Sequence, residues 1–142
     1  MTCCIKIFNA LKKEIKSRED IVLLVDEFYR KIKQDELIGP VFTDVAKVDW
    51  AKHLPIMYDF FENILFYTGS YSGNPMELHQ HISRIFPFTE KHFKRWNHLF
   101  NSTLDDLFTG SMADVIKLRI MRISDVMKNK IIDEHRQNHR LF

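Results

Sequence analysis

Cysteine is almost missing from this chain. It has two, Cys3 and Cys4, adjacent near the start. Neighbouring cysteines close a disulfide poorly, and no third cysteine offers either one a partner, so a disulfide scaffold is excluded and a reducing compartment is expected. A redox role for the pair is the sharper reading, and a frayed terminus the plainer one. Glycine and proline are scarce as well, four of each. No long apolar run exists. The stretch Met1–Ile15 interrupts its apolar residues with Lys6, Lys12 and Lys13, unlike a signal peptide, and nothing approaches membrane-spanning length. The expectation is a cytoplasmic chain without a membrane partner. Nor does one sign of charge dominate: the net is +2 with both signs interspersed, and no basic stretch alternates with aromatics, so charge does not point to nucleic acid.

What is present is apolar and aromatic. Hydrophobic residues make up 45% of 142, enough for one core and one domain, and twelve of them are phenylalanine. Such rings suit an aromatic core or the walls of a slot for a flat ligand. Helical periodicity runs throughout, and no stretch alternates with period two long enough to argue a sheet. Ser17 with Asp20 reads as a capping pair ahead of Ile21, Leu24, Val25, Phe28 and Ile32, with Gly39-Pro40 as the stop. Asp49 caps a helix carrying His53, Met57, Phe60 and Ile64. There Pro55 implies an irregular first turn or a start near Leu54. Tyr67–Pro75 is loop chemistry. Asn74, Pro75 and Glu77 then open a short helix bearing His79 and Ile82, which ends before Pro87. Thr89 opens the next, with Phe93, Trp96, Phe100, Leu104 and Leu107 inside. After Gly110, Ser111 and Asp114 open the last, lined by Met112, Ile116, Ile120, Ile123, Met127 and Ile131. The fold class is all-α. The expected layout is an extension over 1–16, a domain over 17–132, and a polar tail over 133–142 that frays.

Of seven histidines, most suit solvated positions on helices. His135 and His139 sit four apart in the polar tail, without a further ligand nearby, and are read as solvated. His79 and His81 point to different sides of their helix and cannot chelate together. His53 and His79 stand out because each shares a face with apolar residues. Two such faces meeting across the core could enclose a flat iron macrocycle with an imidazole on either side. A packed core is the other reading of the same spacing.

The string His53-Leu-Pro-Ile-Met57, then Phe60-Phe61, then Tyr71-Ser-Gly-Asn-Pro-Met-Glu-Leu-His79 resembles the group III truncated haemoglobins. So do Arg18-Glu-Asp-Ile, Phe28-Tyr29-Arg-Lys-Ile, Leu37-Ile-Gly-Pro-Val-Phe42, Asp49-Trp50 and Phe93-Lys-Arg-Trp96, in order from about Arg18 to about Lys128. The resemblance implies a truncated globin, a two-over-two helical sandwich around haem b. With no C-x-x-C-H string, that haem would be held without thioether bonds. His79 falls on the proximal iron ligand, and Tyr29, His53 and Trp96 on the distal positions. Met57 and Phe60 fall on haem-facing positions and Phe42 and Phe93 on the pocket wall, with Phe28 and Ile82 as further cofactor contacts. Arg84 and Arg95 are candidates to pair with the haem propionates, since guanidinium suits carboxylates. Phe61 departs from the pattern, standing where many members carry tryptophan. The implied function is reversible binding of dioxygen or another diatomic ligand. The alternative from the enzyme class is haem-dependent redox turnover, nitric oxide dioxygenation or peroxidase-like, fed by an external reductase. A haem-free helical interaction module is the third reading.

Overall fold

The computed structural model describes residues 12–69 and 71–140, the side chains of 138–140 excepted. Among them run α1 (Arg18–Gln34), a π-helical turn (Val41–Val45), α2 (Trp50–Phe66), α3 (Pro75–Ile85), α4 (Glu90–Leu107) and α5 (Ser111–Arg140). The extended pairing found among the described residues is a single bridge between Lys13 and Phe108.

The helices start where their capping residues direct. Ser17 and Asp20 form a reciprocal box at the head of α1, and the Asp20 carboxylate also accepts the Lys16 N–H at 2.8 Å. The Asn74 side chain accepts the Glu77 N–H at 3.2 Å to open α3. At α4 the Thr89 N–H donates to His92 Nδ1 at 2.9 Å.

The ends depart from expectation at three places. α1 stops at Gln34, ahead of Gly39-Pro40, because Asp35 turns to extended backbone and its carboxylate takes the Leu37 and Ile38 N–H groups at 3.2 and 3.1 Å. Gly39 then passes so close to the end of α1 that a Cβ there would lie 2.8 Å from the Ile32 carbonyl oxygen. α2 is helical from Trp50 straight through Pro55. The carbonyl that proline leaves without a donor belongs to Ala51, on an exposed turn where water can take it. α5 continues to Arg140, so residues 133–140 are helical rather than frayed.

α1 lies against α2 and α4, and α5 lies against both α2 and α4, which makes the two-over-two sandwich; the short α3 docks on α5. The chain ahead of α1 already belongs to this body. Ile15 is 1% exposed in the core, and the Thr109 N–H donates to the Lys13 carbonyl at 3.0 Å. Cys3, Cys4 and the rest of residues 1–11 lie outside the described residues. The centre of the core is aromatic. Phe100 stacks on Trp96 (5.4 Å, 9°) and on Phe61 (5.4 Å, 13°), and Phe28 meets it edge-on at 5.3 Å. Arg95 Nε donates to Asp35 Oδ1 at 2.7 Å and ties α4 to the end of α1.

Two outcomes follow. Phe100→Ala should lower the unfolding free energy by about 3–5 kcal/mol in a urea titration, the cost of a large aromatic cavity at the centre of a stack. Burial alone would raise the Asp35 carboxyl, but bonds from Arg95 and the Ile38 and Leu37 amides hold it below the ordinary aspartate range. A carboxylate depressed by folding adds stability at neutral pH that is lost as pH falls through its folded value. Asp35→Asn should therefore cost about 1.5–3 kcal/mol at pH 7. It should also flatten the loss of stability below the ordinary aspartate range, read by denaturant midpoints against pH.

Candidate functional site

Between the two layers lies a cavity of about 610 Å³, within the usual range for a small-molecule or cofactor pocket. Tyr29 from α1, Phe42 from the π-helical turn, and His53, Met57 and Phe60 from α2 line it, together with His79 and Ile82 from α3 and Phe93 and Trp96 from α4. These are the residues that the sequence pattern singles out, and the fold brings them to one apolar slot.

His79 reaches the slot through its own helix. Its Nδ1 lies 2.6 Å from the Pro75 carbonyl oxygen, one turn back. A carbonyl can only accept, so Nδ1 carries the proton and Nε2 keeps its lone pair. Burial holds this imidazole below the usual histidine range, against the smaller opposite pull of that hydrogen bond, so it is neutral near pH 7. His53 is held below the usual range first by burial and then by the nearness of His79. Its Nε2 is buried without a hydrogen-bond partner among the described residues. An orphaned buried polar atom is costly, so this nitrogen calls for a partner such as a water, an ion or a ligand.

Rings fix the other polar groups. His53 meets Tyr29 edge-on at 5.3 Å and Trp50 at 5.8 Å. Trp50 in turn stacks on Phe42 at 6.2 Å, and Lys33 Nζ sits 4.3 Å over the Trp50 ring. Burial drives the Tyr29 hydroxyl far above its ordinary pKa, so it stays a protonated donor. Trp96 is set by its stack on Phe100 and by Phe28, edge-on at 4.9 Å.

Three expected contacts fall elsewhere. Phe28 is 0% exposed, packed behind Tyr29 and Trp96, and is absent from the cavity wall, because its place on α1 aims it at Phe100. Arg84 is likewise off the wall. It points away from the slot to Glu134, with Nε 2.8 Å from Oε1. Arg95 is engaged with Asp35, as above. Beyond Tyr29, His53, His79 and Trp96, the polar and charged residues that line the cavity are Lys47, Asp49, Lys52, Tyr71, His81, His92 and Ser124. Tyr71 was visible only as part of a motif; its ring meets Phe60 edge-on at 5.0 Å. His92 could have been found as the third residue after the Thr89 cap.

No group of three His, Cys, Asp or Glu side chains that could hold a bare metal ion occurs among the described residues. One neutral imidazole with a free lone pair, facing an apolar slot, instead suits an ion that brings its own planar ligand set, as haem iron does. The residues present therefore fit haem. Also among the described residues, no helix is long and apolar enough to cross a membrane.

The chain is 27% identical over 124 residues to "Group 3 truncated hemoglobin ctb" of Campylobacter jejuni subsp. jejuni, covering 85% of this chain and 95% of that protein. It is also similar to the crystal structure of a group III truncated hemoglobin from Campylobacter jejuni, with a TM-score of 0.76, 28% identity and the same coverage, 85% of this chain and 95% of that one. The sequence model of the bacterial-like globins matches residues 11–130. With that span matched and the helical sandwich in place, the chain belongs to the bacterial-like globin family.

Proposed function

We propose that this globin holds haem b without covalent attachment, through His79, and reversibly binds dioxygen or a related diatomic ligand beside Tyr29, His53 and Trp96. The observation that carries the reading is the pair of imidazoles on one apolar cavity. The Nε2 of His79 is unprotonated and free, and the Nε2 of His53 is buried with no partner among the described residues. Haem, when bound, would supply the iron chemistry that takes up a diatomic gas, with His79 as the residue that would hold it.

His79 contributes the lone pair, and the Pro75 carbonyl keeps its ring from rotating and makes Nε2 a stronger base. Tyr29 offers an O–H that stays protonated across the usable pH range. Trp96 offers an indole N–H on a ring that cannot tilt without unstacking from Phe100. Both donors suit a ligand that carries partial negative charge. Met57, Phe60, Ile82 and Phe93 keep the slot apolar, which strengthens those hydrogen bonds by excluding water.

Absorption spectra of the full chain, ferric and ferrous, with and without carbon monoxide, should show a Soret band of a His-ligated haem. His79→Ala should lose that ligation while keeping helical content. Tyr29→Phe and Trp96→Phe should each speed dioxygen release about ten- to a hundredfold, since a hydrogen bond to a charged partner contributes roughly 1.5–3 kcal/mol. Stopped-flow release at the parental rate in both variants would overturn the distal assignment.

A further inference from the structure

The helix that carries His79 turns its apolar residues Leu78, Ile82 and Ile85 to the cavity. Its most deeply buried residue is Ser83, which is polar and 1% exposed. The helix packs chiefly on α5, and its polar ties are to the very end of that helix. Ser83 Oγ lies 2.8 Å from His135 Nε2 and accepts the Phe88 N–H at 3.0 Å. One residue after Ser83 and one before His135, Arg84 pairs with Glu134. Ile131, one turn before His135, is 1% exposed in the core, which anchors the segment that makes both contacts.

Ser83 stands four residues after His79, hence on the same face one turn along. A buried hydroxyl must place its proton, and the His135 ring nitrogen is the acceptor within reach. The Phe88 amide uses one of the oxygen's lone pairs. The hydroxyl is thereby fixed from both sides, one turn along the helix from His79.

We propose that the last turns of α5 act as a clamp on the proximal helix, with His135 as a positioning residue that, through Ser83, sets how His79 presents its Nε2. The inference rests on the haem reading above and names a residue outside the cavity wall. It gives residues 133–137 a role that their polar composition hides.

The test uses the full chain loaded with haem, comparing the parent with His135→Ala, Ser83→Ala, the double variant and His135→Gln, whose amide can still meet the Ser83 hydroxyl. The readouts are haem transfer to excess apomyoglobin and the iron–imidazole stretch in the ferrous resonance Raman spectrum. Each Ala variant should lose haem about three- to tenfold faster, the size expected of one neutral hydrogen bond, and shift or broaden the stretch. The double variant should be no faster than the worse single, because both remove one bond. His135→Gln should restore most of the parental behaviour. Lowered thermal stability with an unmoved stretch and parental haem loss would overturn the clamp, as would multiplicative effects in the double variant. If His135→Ala does not fold, Ser83→Ala and His135→Gln carry the same comparison. A parent that takes up no haem overturns the functional reading and the clamp together, whereas a haem-loaded parent with indifferent variants overturns the clamp alone.

Discussion

The site depends on one hydrogen bond, from the His79 ring to the Pro75 carbonyl. It decides which nitrogen bears the proton, holds the ring against rotation, and leaves the other nitrogen a base. Burial acts in the same direction by disfavouring the imidazolium. The bond is local, four residues along a single helix, and it needs the helix to start where it does. Asn74 secures that start by taking the Glu77 amide, and proline in the first position has no amide to leave unsatisfied.

On the facing side the controlling constraint is aromatic packing. Phe100 stacks between Trp96 and Phe61 while Phe28 closes the edge, so the indole is positioned by the core itself. Tyr29, Phe42, Trp50 and His53 form a second group of rings in mutual contact. Between these groups the slot is rigid on one wall. On the other, the position of His79 depends on a short helix held largely by polar ties.

Much of this was legible from the chain. Capping pairs at Ser17, Asn74 and Thr89, the apolar stripes, and the shared faces of His53 and His79 are local features, and the helical period reveals them. Pairings between distant residues are not periodic, and these are where the reading departed. Arg84 looks free until α5 brings Glu134 to it, and Arg95 looks free until the α1 turn brings Asp35. Phe28 shares a motif with Tyr29 but points to Phe100 instead of the slot, which only the crossing of α1 over α4 determines. The polar composition of residues 133–137 suggests fraying, yet the contacts of Glu134 and His135 are made with a helix some fifty residues earlier. Pro55 shows the opposite case. Its missing amide argues for a break that an exposed helix start absorbs at small cost.

The close pass at Gly39 carries a consequence for inheritance of shape. Backbone meets backbone there, with the Ile32 and Lys33 carbonyls where any side chain would have to stand. Even one methyl group would lift the following turn off α1, and Phe42 travels on that turn. Its partners Tyr29 and Trp50 would then have to repack. The shape of the cavity wall is thus set from a bend that lies off the wall, and variation at this bend is a route by which related chains diverge in cavity shape while keeping the same lining side chains.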